Sequence, residues 1–331
     1  YRQKGVVTNR LLFAFIARIG VLTIKNRTLW LVLLVGLICL VNVLLQSPTN
    51  ASPPAVSGKV APAQVAAKTA VPVPPKPLPV LANIPKPVVK SETAFLMVAG
   101  TNQVLFDKDG HKIMYPASTT KIMTLITALR HGNLNDTVVV SPAAADVEGS
   151  SLELQKLDRL TLRELLFGLM LVSGNDAAHA VAEHVGGGSY KKFVGWMNEE
   201  AERIGALRTH FSNPHGLPDP VNHFTTAYDL ALITAEGFRT PGFEDFVSTP
   251  YHTVKFLNRA TGPSLVNTNR LLLTYPGANG VKTGTTNAAG RCLVSSARRG
   301  DVLLIAVVLN GGDTVFRDSA LLLDYGFRVL G

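Results

Sequence analysis

Cysteine is scarce in this chain of 331 residues, which contains only two. Cys39 lies in an apolar run near the start and Cys292 lies far downstream, so we expect no disulfide bond between them. Without disulfides a domain depends on its hydrophobic core, and about 240 residues are enough to bury one. Hydrophobic residues make up 47% of the chain, a fraction that excludes wholesale disorder.

Signatures of metal sites and of histidine-based serine hydrolases are also missing. No His-Glu-x-x-His motif occurs, and His179 and His184 are five residues apart, a spacing that does not place them on one helix face. The Gly-x-Ser-x-Gly turn of Ser-His-Asp hydrolases is absent. His215 lies in a turn-rich segment, where we expect a structural role. The sequence therefore predicts neither a metal site nor a cofactor.

Positive charge is concentrated in the N-terminal part of the chain. The formal net charge is +9, and residues 1–27 carry six basic side chains and no acidic one. Residues 47–92 carry five basic side chains and one acidic side chain, whereas residues 93–331 carry 21 basic and 22 acidic ones. The C-terminal part is therefore nearly neutral, which argues against a nucleic-acid partner.

An apolar run follows the basic segment at residues 1–28. Residues 29–45 contain 17 positions without a charged side chain, and a helix of that length spans about 26 Å, the short end of what crosses a bilayer core. Because the preceding segment is basic, we predict a transmembrane signal-anchor at 29–46, with the N-terminus in the cytoplasm and the rest exported. A cleaved signal peptide is the main alternative, and a buried core helix is the other.

Proline marks a linker between this anchor and the rest of the chain. Eleven of the 20 prolines fall within residues 47–92, where interspersed Ala, Val and Lys show no helical or strand periodicity. Such a segment is a semi-rigid spacer that reaches on the order of 100 Å. Residues 93–331 then form the predicted folded domain.

Strand patterns occur at both ends of this domain, and helical patterns lie between them. The predicted strands are 94–99, 103–107, 280–283, 291–298 and 302–309. The predicted helices are 118–131, 161–172, 176–185, 190–204, 227–237 and 314–326. This order predicts an α/β fold in which the terminal strands assemble into one sheet that helices cover.

Three short motifs carry the chemistry, and the first is Ser-Thr-Thr-Lys at 118–121. Alone, Ser-x-x-Lys says little, because Ser189 and Lys192 match it at the start of an ordinary amphipathic helix. Ser118 instead opens an apolar helix, and Lys121 lies one turn later on the same side, where it can reach the Ser118 hydroxyl. The alternative is a helix-capping serine followed by a solvated lysine.

The second motif, Ser-Gly-Asn at 173–175, lies in a predicted break between two helices. There a hydroxyl can pass a proton to a leaving amine and the amide can hold Lys121, although a simple helix cap is the alternative.

The third motif, Lys-Thr-Gly at 282–284, lies on a predicted strand, where Lys282 can lower the pKa of Lys121 and attract an anionic substrate group. Alone it is typical of an edge-strand turn. Together and in this order, the motifs predict a serine acyl-transfer site with lysine as the base.

With these motifs, residues 93–331 resemble the serine D-alanyl-D-alanine carboxypeptidases, the low-molecular-mass penicillin-binding proteins. Further similar strings are Glu-Gly-Ser-Ser at 148–151, Asn-Pro-His-Gly-Leu at 213–217 and Asn-Thr-Asn at 267–269. The resemblance implies a β-lactamase-like DD-peptidase domain, an antiparallel sheet flanked by helices with a helical subdomain. It also implies peptidoglycan stem peptides as partners and β-lactam antibiotics as covalent inhibitors.

The resemblance further implies a role for each motif residue. Ser118 is the expected nucleophile and Lys121 the proton acceptor, with Ser173 and Asn175 as the leaving-group and orientation pair. The expected substrate-binding residues are Lys282, Thr283, Gly284, Thr285 and Arg317. The backbone amides of Ser118 and Thr285 are expected to form the oxyanion hole.

The implied function is removal of the terminal D-Ala from peptidoglycan pentapeptides, outside a bacterial cytoplasmic membrane. A D,D-endopeptidase that cuts cross-links is one alternative, because the same groups serve both reactions. A β-lactamase is another, but the acidic residue that its deacylation step usually needs is missing between Arg203 and Pro218. A non-catalytic wall-binding protein is the third.

Overall fold

The computed structural model describes residues 76–331. The basic segment at 1–28, the predicted anchor at 29–46 and most of the predicted linker at 47–92 lie outside the described residues. Among the helices of residues 76–331, none has both the length and the apolar content needed to cross a bilayer.

Strands at both ends of the domain and helices between them follow the hydrophobic pattern of the sequence. The strands are β1 Thr93–Val98, β2 Gln103–Lys108, β3 Thr137–Val139, β4 Arg159–Thr161, β5 Tyr251–Thr253, β6 Ser264–Val266, β7 Ala278–Thr286, β8 Gly290–Arg299 and β9 Val302–Leu309. The α-helices are α1 Lys121–His131, α2 Pro142–Ala145, α3 Leu162–Leu171, α4 Asn175–Val185, α5 Tyr190–Ile204, α6 Ala227–Arg239, α7 Phe243–Val247, α8 Leu271–Thr274 and α9 Val315–Leu330. Short 3-10 turns at Ala117–Thr120 and Gly312–Thr314 precede α1 and α9.

A five-stranded antiparallel sheet has the order β2-β1-β9-β8-β7, so strands from both ends of the domain are neighbours. Thr93 of β1 pairs with Leu309 of β9, and this pairing joins the N-terminal hairpin to the C-terminal strands. A tight turn connects β7 to β8, with Thr286 paired to Gly290. The predicted α/β fold, with one sheet formed by the terminal strands, is confirmed.

Side chains of β1 alternate between two hydrophobic layers on opposite faces of the sheet. Phe95 and Met97 pack with the helices of one face, whereas Leu96 and Val98 belong to the layer that contains Leu322 of α9. None of these side chains is more than 3% exposed. Because burying such a side chain contributes about 1.5–3 kcal/mol, the two layers supply the stability that a domain without disulfides needs.

The helix predicted at 118–131 begins differently in the structure. Residues 117–120 form a 3-10 turn, and the α-helix itself starts at Lys121. Ala117 has a φ of +47°, a left-handed conformation that residues with a side chain rarely adopt. This sharp turn leaves Ser118 partly exposed, while Lys121 is fully buried.

The last part of the predicted linker is in contact with the domain. The backbone N–H of Leu81 donates to the Val329 carbonyl of α9 at 2.7 Å. The N–H groups of Lys90 and Ser91 donate to the Asp318 carboxylate at 2.9 and 2.8 Å. The part of the chain that packs on the domain therefore begins before residue 93, the boundary that proline content predicts. The residues between the prolines supply these contacts.

Candidate active site

The start of α1 brings Ser118 and Lys121 together. Ile122, Leu125 and Ile126 are fully buried and fix this helix in the core. The Nζ atom of Lys121 lies 3.0 Å from the Oγ atom of Ser118. This is the contact that their spacing of three residues predicts.

Three neutral oxygen atoms surround the Lys121 amine. Besides the Ser118 hydroxyl, Nζ contacts Asn175 Oδ1 and the backbone carbonyl of His215, each at 2.7 Å. Within residues 76–331, no carboxylate forms a hydrogen bond or ion pair with this amine. A neutral amine has two N–H donors and one lone pair, so it can donate to Asn175 and His215 and still accept the Ser118 proton.

Burial and a second cation both favour that neutral form. Burial, together with the positive charge of Lys282, holds the pKa of Lys121 well below its usual range. Asp176 acts in the opposite direction, but its carboxylate already accepts hydrogen bonds from three backbone N–H groups and the Ser151 hydroxyl. Lys282 is also buried, which lowers its pKa to about 7. The lowered pKa therefore makes the neutral, proton-accepting form of Lys121 more accessible than in an ordinary lysine.

The break between α3 and α4 places Asn175 next to Lys121 and places the buried Ser173 in the lining of the same site. The Nδ2 atom of Asn175 donates to the Glu148 carbonyl at 2.7 Å, which fixes the amide with Oδ1 towards the lysine. Ser173 has a φ of +64°, and its buried hydroxyl has no hydrogen-bond partner among the described residues. A strained backbone and an unpaired buried hydroxyl are both typical of functional sites, so this hydroxyl is available to a substrate.

The third motif lies on β7, one of the two edge strands of the five-stranded sheet. Gly284 passes directly over the turn that contains Ser118, since a Cβ there would lie 3.0 Å from the Ser118 nitrogen and 3.1 Å from the Ala117 Cβ. A Cβ at this position would require the strand or the turn to move by a few tenths of an ångström, so glycine suits this close approach. The adjacent Thr283 hydroxyl is 2.7 Å from the Thr268 hydroxyl.

A cavity of about 400 Å³ lies where the three motifs meet. Its lining residues are Ser118, Ser150, Val172, Ser173, Thr268, Thr283, Gly284, Thr285, Arg291, Cys292, Val315 and Phe316. Lys121, Asn175 and Lys282 are buried behind this lining. Residues that are distant in sequence therefore form a single crevice with an accessible serine, Ser118, and a buried amine, that of Lys121.

Two arginines, Arg317 and Arg291, differ in their position relative to the cavity. Arg317 is exposed near the start of α9 and is not among the residues that line the cavity. Arg291 lines the cavity instead and forms an ion pair with Asp313 at 2.6 Å. The strand register explains its position, because Arg291 of β8 pairs with Thr285 of β7. A role for Arg317 in carboxylate binding stays a prediction.

His215 contributes to the site through its backbone, which the sequence analysis does not anticipate. Its carbonyl oxygen accepts the hydrogen bond from Lys121, while burial lowers the pKa of its imidazole to about 3. Every residue has a carbonyl group, so residue type gives no signal for this contact. The Asn-Pro-His-Gly-Leu string at 213–217 is the sign in the sequence that this segment matters.

The second Ser-x-x-Lys match has none of these surroundings. The Ser189 hydroxyl accepts from the Lys192 backbone N–H and caps α5. The Lys192 ammonium lies 4.8 Å from the centre of the Trp196 ring. This pair is an ordinary helix start, as its sequence context predicts.

Comparisons with known proteins agree with this geometry. The family model for D-alanyl-D-alanine carboxypeptidases matches residues 81–313. The chain is 37% identical to the D-alanyl-D-alanine carboxypeptidase DacF of Bacillus subtilis over 72% of its own length, but this spans only 62% of that relative. A D-alanyl-D-alanine carboxypeptidase of Mycobacterium tuberculosis is 35% identical, with 75% of this chain and 86% of that protein covered.

Solved structures give the same result. The crystal structure of the Streptomyces K15 DD-transpeptidase matches with a TM-score of 0.71 and 34% identity, over 74% of this chain and 99% of that one. A structure of a D-alanyl-D-alanine carboxypeptidase from Mycobacterium tuberculosis matches with a TM-score of 0.70 and 34% identity, over 76% and 96%. The motifs, their meeting in one cavity and these matches agree, and the chain belongs to the peptidase S11 family of D-alanyl-D-alanine carboxypeptidases.

Proposed function

We propose that this chain is a serine D-alanyl-D-alanine carboxypeptidase that removes the terminal D-Ala from peptidoglycan pentapeptides. The observation that carries the proposal is the 3.0 Å contact between Lys121 Nζ and Ser118 Oγ, beside a cavity that all three motifs border. This contact pairs a serine with a buried amine whose pKa is lowered, which is the pairing that serine acyl transfer needs.

Acylation starts when the Ser118 hydroxyl gives its proton to Lys121 Nζ and Oγ attacks the carbonyl carbon of the penultimate D-Ala. The backbone N–H groups of Ser118 and Thr285 stabilise the oxyanion, with help from the N-terminal dipole of α1. The Ser173 hydroxyl relays the proton from Lys121 to the leaving nitrogen, so the peptide bond breaks and D-Ala departs. An ester between Ser118 and the shortened peptide remains.

Deacylation uses the same base. Lys121 takes a proton from a water molecule, the resulting hydroxide attacks the ester, and the proton returns to Ser118 as the peptide leaves. Lys282 and Thr283 bind the carboxylate of the substrate through a charge-assisted contact and a hydroxyl donor. Arg317 is the proposed third contact to this carboxylate.

β-Lactams are the proposed covalent inhibitors. Among the described residues, none that lines the cavity carries a carboxylate that could activate water. The ring-opened β-lactam keeps its leaving nitrogen attached, so it shields the ester from water, and we expect a long-lived acyl-enzyme on Ser118. Rapid hydrolysis of a chromogenic cephalosporin would instead favour β-lactamase activity.

Release of D-Ala from a diacyl-Lys-D-Ala-D-Ala peptide tests the proposed function. The wild-type protein should release one D-Ala per peptide, and Ser118→Ala should abolish the release. Ser189→Ala is the matched control, because this serine occupies the second Ser-x-x-Lys match on α5, and it should retain wild-type activity. The proposal fails if the wild type releases no D-Ala or if Ser118→Ala is as active as the wild type.

We also propose that residues 29–46 anchor the chain in a bacterial cytoplasmic membrane, with the domain outside. The apolar run and the basic residues before it support this topology. Protease added to intact spheroplasts should digest the domain, and alkaline carbonate should leave the protein in the membrane fraction. A domain that is protected from external protease would contradict this topology.

A further inference from the structure

A segment outside the three motifs, residues 212–217, packs against the first turns of α1. Its His215 carbonyl accepts from Lys121 Nζ at 2.7 Å. One residue earlier, the Pro214 carbonyl accepts from the buried hydroxyl of Thr124 at 2.6 Å. Consecutive carbonyl groups therefore contact side chains one turn apart on α1, which fixes the direction of the segment along the helix.

The shape of this segment is defined from within. Gly216 has a φ of +94°, and a Cβ there would lie only 1.9 Å from the Ala117 carbonyl oxygen. The Asn213 side chain accepts from the Gly216 N–H at 2.7 Å and donates to the Leu217 carbonyl at 2.9 Å. The segment is thus a tight turn pressed against the residue that precedes the nucleophile.

His223 connects this segment to the nucleophile turn, which is the 3-10 turn at Ala117–Thr120 that contains Ser118. Its Nδ1 atom accepts from the Ser212 backbone N–H at 3.1 Å, so in the neutral ring the proton lies on Nε2. Nε2 therefore donates to the Thr120 hydroxyl at 2.8 Å. His223 is 1% exposed, and burial lowers its pKa to about 4, which keeps the ring neutral and this tautomer in place.

We propose that His223 is a positioning residue. Its hydrogen bonds fix the 212–217 segment to the nucleophile turn and thereby keep the Lys121 amine in the position that proton transfer from Ser118 requires. The hydrogen bonds of its ring nitrogens join the segment to the turn that carries Ser118 and leads directly into Lys121 of α1. While the segment is fixed, the His215 carbonyl stays hydrogen-bonded to the Lys121 amine, so the lone pair of that amine stays directed at the Ser118 hydroxyl. This inference rests on the proposed acyl-enzyme chemistry.

Loss of the His223 hydrogen bonds should change the protonation of Lys121. The charged or titratable groups that face this lysine are Lys282 on β7, Asp176 on α4, and the two imidazoles of His215 and His223. Both imidazoles are neutral above pH 5, so burial and Lys282 dominate. A loosened segment admits water, which weakens the effect of burial and raises the lysine pKa. The rise of the acylation rate with pH should then occur at higher pH.

Two substitutions at Thr120 separate a hydrogen bond from packing. Thr120→Val keeps the side-chain volume but removes the acceptor of the His223 hydrogen bond, whereas Thr120→Ser keeps the hydroxyl but loses a methyl group. Acylation by a fluorescent penicillin should slow about tenfold in Thr120→Val, the effect of one hydrogen bond lost from the positioned state. Thr120→Ser should stay within about twofold of the wild type.

His223→Asn completes the test, because its amide can still accept from Ser212 but cannot reach Thr120. It should slow acylation as much as Thr120→Val, and the double variant should be no slower than either single one. In both single variants the rising part of the pH profile should move to higher pH. Thr127→Val is the control, because this hydroxyl of α1 bonds only to the Met123 carbonyl of its own helix.

The positioning role is wrong if Thr120→Val acylates at the wild-type rate with an unchanged pH profile. It is also wrong if Thr120→Ser is slower than Thr120→Val, because packing would then explain the effect. If His223→Asn does not fold, the two Thr120 variants decide the question alone. A failure of the proposed function is distinguishable, because the wild-type protein would then show no penicillin labelling that depends on Ser118.

Discussion

The amine of Lys121 lies 3.0 Å from the hydroxyl of Ser118 and has no carboxylate partner among residues 76–331. Its other two contacts are the neutral oxygen atoms of Asn175 and His215. A surface lysine at this spacing would be solvated and protonated, whereas this one is fully buried. The same four-residue pattern therefore gives a buried amine in contact with a serine hydroxyl at the start of α1 and a helix cap at the start of α5.

Lys121→Met should slow acylation by penicillin at least about a hundredfold, because the substitution removes the general base while it keeps most of the side-chain volume. The measurement is the second-order rate constant of labelling by a fluorescent penicillin. Lys192→Met is the control, since this lysine belongs to the second Ser-x-x-Lys match, and it should label at the wild-type rate. Equal loss in both variants would contradict a special role for Lys121.

The pH dependence of kcat/KM for D-Ala release should be bell-shaped. The rate rises as Lys121 loses its proton, and this limb lies well below the pH range in which an ordinary lysine titrates, because burial and Lys282 lower the Lys121 pKa. It falls above about pH 7, where Lys282 loses the charge that attracts the substrate carboxylate. Lys282→Arg keeps a cation at all accessible pH values, so its falling limb should move to higher pH. An unchanged falling limb would exclude Lys282 as its origin.

Gly284→Ala should slow acylation without unfolding the protein. The added Cβ would lie 3.0 Å from the Ser118 nitrogen, so the nucleophile turn or β7 must shift. Gly195→Ala is the matched control on α5, where a Cβ meets nothing within 4 Å. That change should leave labelling unchanged and raise the free energy of unfolding by up to about 1 kcal/mol. Unaltered labelling of Gly284→Ala would mean that the close approach is not needed for reaction.

Asp318→Ala should destabilise the domain by about 3 kcal/mol, because buried donors lose their acceptor. Its carboxylate, 1% exposed, accepts from the Lys90 and Ser91 N–H groups and from the Ser91 and Thr314 hydroxyls. Urea denaturation measures the free energy of unfolding. Asp313→Ala, at a largely exposed ion pair, should change it little. Equal stabilities of the two variants would show that the hydrogen bonds from Lys90 and Ser91 to Asp318 do not stabilise the domain.

The meeting of the three motifs in one cavity was predictable because each motif combines particular side-chain types at a short, fixed spacing. The contact between Ser118 and Lys121 follows from helical geometry. The sheet was predictable from the alternation of apolar residues in the terminal strands. Strands β3 to β6 were not, because three residues are too few to show a period of two.

Contacts that use the backbone or that depend on distant packing gave no signal in the sequence. The His215 carbonyl is chemically the same as any other, so only the fold reveals that it meets Lys121. The place of Arg291 in the cavity depends on the register between β7 and β8. Proline content placed the domain boundary at residue 93, whereas the hydrogen bonds of Asp318 extend the packed chain towards the N-terminus.

The site of the penicillin adduct is the most direct test of this account. The protein is incubated with a penicillin and digested, and the modified peptide is sequenced by mass spectrometry. We predict a single adduct of the intact penicillin mass on Ser118, which disappears in Ser118→Ala and remains in Ser189→Ala. An adduct on another serine, or none at all, would contradict the assignment of Ser118 as the nucleophile.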